Sequence, residues 1–307
     1  MRNIISWLRE SEGITLSDKL LVFFIKVIYV NLRIILRIAL GKKRRDRLYG
    51  GRGLNFVDFA CNAFKFLRPG NSSLLKFRVP KYNHELYCRV HKDDFKVMTS
   101  HEDEIIERFL PKQGDIVVDI GAHIGLYTIM SSKRVGSNGK VVAIEPDPSN
   151  FEMLNRNIKL NQLTNVLPLN YAVYSKETKV KLYLPEEKSG HTIYNTMMVL
   201  DRAKANEKFV EVNANTLDNL LQENGIEQQL NWIKIDVEGA EFEVLKGSAD
   251  ILSNSKDIAL LIEVHNLGGR TNLYRHIVEF LNLYNFKIEF EKTYDSGEKH
   301  IIARKQP

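Results

Sequence analysis

The sequence predicts an α/β fold: a mostly parallel sheet with helices on both faces, closed by a terminal hairpin. Three observations carry this. Short apolar runs recur at 116–120 (IVVDI), 140–145 (KVVAIE), 165–170 (NVLPLN), 231–236 (NWIKID) and 258–264 (IALLIEV). Stretches of helical period lie between or after them, at about 125–134, 148–161, 240–252 and 271–284, the pattern of buried strands joined by crossover helices. Finally, two strand-like runs, 286–292 and 300–304, follow each other without a helix, as antiparallel neighbours do.

The 307 residues suffice for one large domain with an appendage. Cys61 and Cys88 stand far apart in no metal-type spacing, so neither a disulfide framework nor a zinc site is expected and a reducing compartment is the default. The net charge of +6 is unevenly placed. Residues 1–52 hold 12 of the 44 Lys and Arg and 4 of the 38 Asp and Glu, giving +8; the remaining 32 and 34 leave −2 on residues 53–307. The basic character is N-terminal and argues against nucleic acid as a partner of the main domain.

Residues 20–40 (LLVFFIKVIYVNLRIILRIAL) are almost unbroken apolar residues without Gly or Pro, a helix by pattern. Lys19, Lys26, Arg33 and Arg37 fall within roughly 40° of one another around it, a basic stripe on an apolar cylinder. The cluster GKKRRDR (41–47) follows, suited to anionic headgroups. As a spanning helix, each charge would cost up to about 3 kcal/mol near mid-bilayer. As an interfacial helix, the stripe faces headgroups and the rest sinks into acyl chains, so residues 14–47 are expected at a membrane surface on its cytoplasmic side. Packing on the domain or on a second subunit is the alternative. A cleaved signal peptide fits badly, since the apolar run starts late and lacks a small-x-small site.

The chain is expected to divide into this basic segment (1–52), a hairpin and helix belonging to the catalytic unit (53–110), and a ligand-binding domain (111–307). GGRGLN (50–55) is the hinge, and 74–90 reads as two strands around a Pro-Lys-Tyr-Asn turn. Residues 100–115 read as a helix with an acidic first turn, stopped by Pro111 and Gly114. The stretch 171–216 interrupts the alternation with strand-like KVKLYLP and KFVEVNA, an insertion suited to substrate recognition.

Function is read at the end of the first strand of the alternation, VVDIGAHIGLYT (117–128). Ligands of open α/β sheets bind beyond the carboxyl ends of the strands. Gly121 and Gly125 permit close approach to the backbone, and the following helix N-terminus favours an anionic group. The spacing is G-x-x-x-G, neither the dinucleotide G-x-G-x-x-G nor a phosphate loop. Glu145, ending the next strand, can accept hydrogen bonds from both ribose hydroxyls. Asp119 suits a cationic group and would repel a pyrophosphate. Asp147 followed by Pro148 is a helix start. A ribose, a cation and a small carboxylate together describe S-adenosylmethionine.

Five blocks in order, VVDIGAHIGLYT, AIEPDPSNFEMLNRNIKLN, NVLPLNYAVYS, VNANTLDNLL and IKIDVEGAEFEVLKG, resemble the FkbM-type family of S-adenosylmethionine-dependent methyltransferases over about residues 95–265. The resemblance implies the Rossmann-like class I methyltransferase sheet, seven strands with the last antiparallel, and methyl transfer to hydroxyls of sugars, glycans or polyketide-type products. It also implies that Asp119, Gly121 and Gly125 hold the methionine end, with Ala122 and His123 of the same loop binding the cofactor, Glu145 the ribose, and Asn170 with Ala172 the adenine side. Glu104 occupies the family's acidic position ahead of the first strand. His123 stands where Asn is usual.

A hydroxyl acceptor must lose a proton, and acids cluster at two strand ends: Asp236, Glu238 and Glu241 in DVEGAE, Glu263 and His265 in IEVH. Asp236, Glu238 and His265 are the candidate catalytic residues, helix capping and dipole complementation being the structural alternative. Asp236, Glu238 and Glu263 offer oxygens to a divalent cation, but no Asp-Asp pair follows the fifth strand and no metal is expected. His191, in the insertion, is a weaker candidate for acceptor binding. The expected activity is therefore O-methyl transfer to a sugar, glycan or lipid-linked acceptor. An RNA methyltransferase, or an inactive membrane-docked binding protein, are the alternatives; against the first stands the −2 charge, against the second the retention of Asp119, Gly121, Gly125, Glu145 and Asp236.

Overall fold

The computed structural model describes residues 24, 28, 74–79, 84–89, 94, 103–183, 209–226, 229–265, 272–294 and 297–306. The chain forms two compact units, Met1–Asp103 and Glu104–Pro307. In the first, β1 (Leu74–Val79) and β2 (His84–Arg89) form the expected antiparallel hairpin, Leu74 opposite Arg89 and Val79 opposite His84. Arg89 there grips buried Asp94 through its backbone N–H and guanidinium at 2.7–2.9 Å. Of the segment 14–47 only Phe24 and Ile28 are described, both exposed; the rest of it, the hinge and His191 lie outside the described residues. No described helix is long and apolar enough to cross a membrane.

The second unit is built on β3 (Ile116–Ile120), β4 (Lys140–Ile144), β5 (Val166–Leu169), β9 (Trp232–Ile235), β10 (Ala259–Val264), β11 (Phe286–Thr293) and β12 (Lys299–Lys305). Their order in the sheet is β11-β12-β10-β9-β3-β4-β5. β3, β4, β5, β9 and β10 run parallel, and β12 is antiparallel to both its neighbours. This is the seven-stranded class I sheet that the motif order implied. β3 and β9 are wholly buried, which is why each reads as an apolar run broken by a single charge, Asp119 or Lys234, rather than as an alternating one.

Between strands lie α2 (Leu126–Val135), α3 (Pro148–Leu160), α4 (Leu217–Glu223), α5 (Glu241–Lys246), α6 (Ala249–Asn254) and α7 (Asn272–Leu283). The start signal of α3 works as its sequence implies: the Asp147 side chain accepts from the Asn150 N–H at 2.7 Å, and Pro148 takes the first turn. The single helix expected over 240–252 is instead two, α5 and α6. Gly247 caps the first, and the Tyr174 carbonyl passes where its Cβ would stand, 2.0 Å away, so a side chain has no room there. Among the described residues of the helix expected over 100–115, α1 runs Asp103–Arg108 and stops short of Pro111. The chain leaves it to bury Phe109 edge-on against Tyr127 and Trp232, with ring centroids 5.5 and 4.9 Å away.

The strand-like runs KVKLYLP and KFVEVNA of the insertion are strands, and they pair with each other. Here β6 (Ala172–Val173), β7 (Thr178–Tyr183) and β8 (Phe209–Asn215) form a separate sheet in the order β6-β8-β7. Its apolar face (Val180, Leu182, Val212 and Ala214) packs with Ala240, next to the site.

Candidate functional site

The loop after β3 is shaped by its own packing. The N–H groups of Gly121 and Ala122 donate to the Ile144 carbonyl at 2.9 and 3.0 Å, tying the ends of β3 and β4 together. Gly121 is left-handed (φ 75°), and a Cβ there would lie 1.8 Å from the Asp236 carbonyl oxygen. Gly125 (φ 98°) leaves room for Leu154 Cδ1, 2.8 Å from its hypothetical Cβ. Both glycines were assigned from sequence to the approach of a ligand. The space their missing side chains leave is taken by Asp236 and Leu154.

Glu145 follows β4 and is buried. Its Oε2 accepts from the His123 N–H at 2.8 Å, and its Oε1 from the Asp147 N–H at 3.0 Å and Asn150 Nδ2 at 3.3 Å. A carboxylate has about four acceptor positions, so about one remains for a ligand, rather than the pair the sequence reading gave it. Burial pushes its carboxyl up to about 7 despite the hydrogen bonds from His123 and Asp147 that favour the ion. His123 turns the chain with a left-handed φ of 51°. Asn170 clasps the same corner, donating to the carbonyls of Glu145 and Pro146 at 2.8 and 3.1 Å.

Two further expected cofactor residues have protein partners. The Ala172 side chain is buried among Val180, Leu182 and Ala240. Glu104 is half exposed on α1 and pairs with Lys292 at 3.1 Å.

Lys234, which the sequence reading did not single out, sits at the centre. Parallel register places it beside Asp119 across β3 and β9. Its Nζ donates to the Gly121 carbonyl at 2.9 Å and lies 3.4 Å from Asp119 Oδ1 and 3.3 Å from Asp236 Oδ2. Thr128 donates to the other Asp119 oxygen at 2.6 Å. Asp119, expected to face a cationic ligand group, thus already faces a cation of the protein.

Beyond Asp236 the structure brings together all three candidate catalytic residues. His265 Nδ1 lies 2.6 Å from Glu241 Oε1; its Nε2 is 3.3 Å from Glu238 Oε2, 3.7 Å from Glu263 Oε1 and 3.9 Å from Asp236 Oδ1. His300 Nε2, on β12, lies 3.2 Å from Glu263 Oε2. Glu238 (φ 54°) and Gly239 (φ 105°) are both left-handed, a strained turn that presents the Glu238 carboxylate.

The charges are mutually shifted. Burial works against ionised Asp236, but Lys234, then His265 and His300, outweigh it and hold its carboxyl below the usual range. Burial pushes Glu238 up to about 8, with His265 opposing and Asp236, Glu263 and Glu241 adding to the rise. Burial also disfavours charged His265, yet the bond to Glu241 and the field of Glu238, Glu241 and Glu263 lift it to about 11. Among the described residues, Asp236, Glu263 and His265 form the group able to hold a metal ion, offering one ligand atom each, all within 4.8 Å of one another.

Asp119, Glu145, Asp236 and Glu263 thus all stand at the carboxyl ends of adjacent strands, where the strand order reverses about β3, the place such sheets bind ligands. The family model "Methyltransferase FkbM domain" matches residues 119–288, a span holding all of these groups. Methyltransferase 1 of Beauveria bassiana is 26% identical over 184 residues, 52% of this chain and 74% of that one. Methyltransferase sdnD of Sordaria araneosa is 34% identical over 158 residues, 43% and 59% of the two chains. The hexuronic acid methyltransferase AglP of Haloferax volcanii is 28% identical over 166 residues, 53% and 62%. The chain thus spans about three-fifths of the last two. A crystal structure of a SAM dependent methyltransferase from Aquifex aeolicus covers 70% of this chain and 94% of its own at 13% identity, with a TM-score of 0.41.

Proposed function

This chain belongs to the FkbM methyltransferase family, and from that premise we propose that it is an S-adenosylmethionine-dependent O-methyltransferase of sugar, glycan or lipid-linked hydroxyls. The observation that carries the reading is the adjacency of two differently built half-sites. Buried Glu145, with about one acceptor position left, closes one end, and the Asp236–Glu238 turn stands at the other, joined by the contact of Gly121 with Asp236. A nucleoside suits the first and a polyhydroxylated acceptor the second. The hexuronic acid methyltransferase among the relatives favours a sugar.

S-adenosylmethionine supplies an electrophilic methyl group on a sulfonium, so the protein's task is chiefly alignment. Glu145 accepts a ribose hydroxyl, with His123 and Asn150 fixing its carboxylate. Asp236, kept ionised by Lys234, accepts from the acceptor hydroxyl and orients it. Glu238, whose carboxyl is poised at about 8, takes the hydroxyl proton as the oxygen–carbon bond forms. His265 was a candidate base from sequence; with its proton held so firmly it has no lone pair to offer in this state and acts by positioning Glu238.

The membrane part of the reading rests on the basic and apolar pattern of residues 14–47, within which Phe24 and Ile28, one helical turn apart, are 59% and 58% exposed. Flotation of the full chain with anionic and with neutral vesicles tests it; equal recovery in both, or in neither, removes the anionic surface from the reading.

Calorimetric titration with S-adenosylhomocysteine, with NAD as control, tests the core proposal. Binding of the former alone is expected, followed by methyl transfer to a screened panel of sugars. Binding of NAD instead would overturn it.

A further inference from the structure

We propose that Asp236, Glu263 and His265 bind one divalent cation, through which the enzyme grips an acceptor presenting two adjacent oxygens. The cation site stands on geometry alone; its service to the acceptor rests on the methyltransferase reading above.

Each of the three residues has one polar atom held by a neighbour and a second turned inward. Asp236 Oδ2 is taken by Lys234 at 3.3 Å, Glu263 Oε2 by His300 at 3.2 Å, and His265 Nδ1 by buried Glu241 at 2.6 Å. What converges is the other atom of each. Nε2 of His265 lies 3.7 Å from Glu263 Oε1 and 3.9 Å from Asp236 Oδ1, with Glu238 Oε2 at 3.3 Å. The imidazole is only 5% exposed, and a single N–H cannot serve three acceptors. A point charge among them can. Ligand atoms within 4.8 Å of one another close around an ion with bonds of about 2.1–2.4 Å after small side-chain adjustment.

Glu241 completes a recurrent arrangement. A metal-bound imidazole usually gives its far N–H to a carboxylate, which fixes the ring and its tautomer. Glu241 Oε1 holds Nδ1 in that role, and the Glu241 side chain is itself wholly buried. Register across β10 and β12 places His300 opposite Glu263, so the sheet sets both ligand and support. A cation bound here takes the place of the proton on Nε2.

One imidazole and two carboxylates suit a first-row ion that accepts both nitrogen and hard oxygen, Mn²⁺ above Ca²⁺. Three protein ligands leave positions open, and a vicinal diol or hydroxy acid can fill two of them. The cation then lowers the pKa of the hydroxyl it holds, and Glu238 receives the proton. The sequence offers a cation the oxygens of Asp236, Glu238 and Glu263 and argues against one by the lack of an Asp-Asp pair after β10; the geometry puts His265 in the place of Glu238.

The test is titration of the full chain, stripped with EDTA, with Mn²⁺ followed by the paramagnetic resonance of the free ion. Binding of S-adenosylhomocysteine is measured on the same metal-free samples. One Mn²⁺ per chain is expected, with affinity at least about tenfold weaker in Glu263→Gln and His265→Gln, and about 10–100-fold weaker in Glu241→Gln, which acts through the ring. Glu263→Asp, which keeps the charge and withdraws the oxygen, gives the same loss and serves where His265→Gln fails to fold. Absence of saturable binding by Mn²⁺, Mg²⁺ or Zn²⁺ in a protein that binds S-adenosylhomocysteine overturns the proposal, as does equal Mn²⁺ affinity in wild type and the ligand variants. Mn²⁺ binding without S-adenosylhomocysteine binding would instead overturn the methyltransferase reading and leave the cation site standing.

Discussion

The carbonyl oxygen of Asp236 occupies the space where a side chain on Gly121 would begin, 1.8 Å from its hypothetical Cβ. The loop after β3 and the acidic turn after β9 are therefore in backbone contact. Gly121→Ala is expected to cost roughly 3 kcal/mol or more, combining a left-handed φ of 75° with a clash against backbone that cannot swing away. Gly125→Ala is expected to cost less, because it meets the end of the Leu154 side chain, although its φ of 98° is strained too. Urea unfolding of the two variants checks the ranking, and equal losses would mean that the strand contact yields.

Lys234 neutralises two carboxylates at once. Replacing it by Met leaves Asp119, 1% exposed, without its counter-charge, so about 3–5 kcal/mol of stability should be lost. Adding Asp119→Asn removes the stranded charge, and the double variant is expected to be more stable than Lys234→Met alone. Thermal unfolding of the single and double variants decides this; simple additivity would contradict the pairing.

The same residue shows where legibility stopped. The parallel strands, the α3 cap and the acids of DVEGAE were visible because burial, capping and strand ends leave local signatures. Lys234 was visible only as a charge within WIKI; that it faces Asp119 depends on parallel register, which no local pattern encodes. His300 reaches Glu263 for the same reason, across a pairing 37 residues apart in sequence. The glycines of 121–125 were legible as a bared backbone, but the packing that also calls for them was not. At Gly121 the close neighbour is the Asp236 backbone and at Gly125 the end of the Leu154 side chain, both distant in sequence. The glycine at 247 likewise leaves room for the Tyr174 carbonyl, a neighbour distant in sequence.

Glu145 makes cofactor affinity depend on pH. Its folded-state carboxyl, at about 7, protonates as pH falls below that value, and a protonated carboxyl loses the acceptor that a ribose hydroxyl needs. S-adenosylhomocysteine should bind progressively more weakly below pH 7, by up to roughly tenfold per pH unit, with little change above pH 8. Glu145→Ala should weaken binding at pH 8 and flatten this profile. Calorimetry from pH 5.5 to 8.5 reads both, and an unchanged slope in the variant would assign the dependence to another group.

Glu238 should set the rise of the rate with pH. As the proton acceptor it must be ionised, and burial among Asp236, Glu263 and Glu241 places its carboxyl at about 8. With no cation bound, the profile of kcat/KM should therefore climb to an apparent pKa near that value, one belonging to the coupled cluster rather than to a single group; a cation at Asp236, Glu263 and His265 moves the limb to lower pH. Glu238→Gln keeps the shape and hydrogen-bonding reach of the side chain but cannot take a proton. It should lower kcat by about 10²–10⁴ and abolish the climbing limb, while leaving S-adenosylhomocysteine affinity near wild type. Asp236→Asn should also depress turnover far more than cofactor affinity, but the limb should persist, because Glu238 still titrates beside Glu263 and Glu241. If the limb disappears in Asp236→Asn and survives in Glu238→Gln, proton acceptance belongs to Asp236, and Glu238 serves to hold His265.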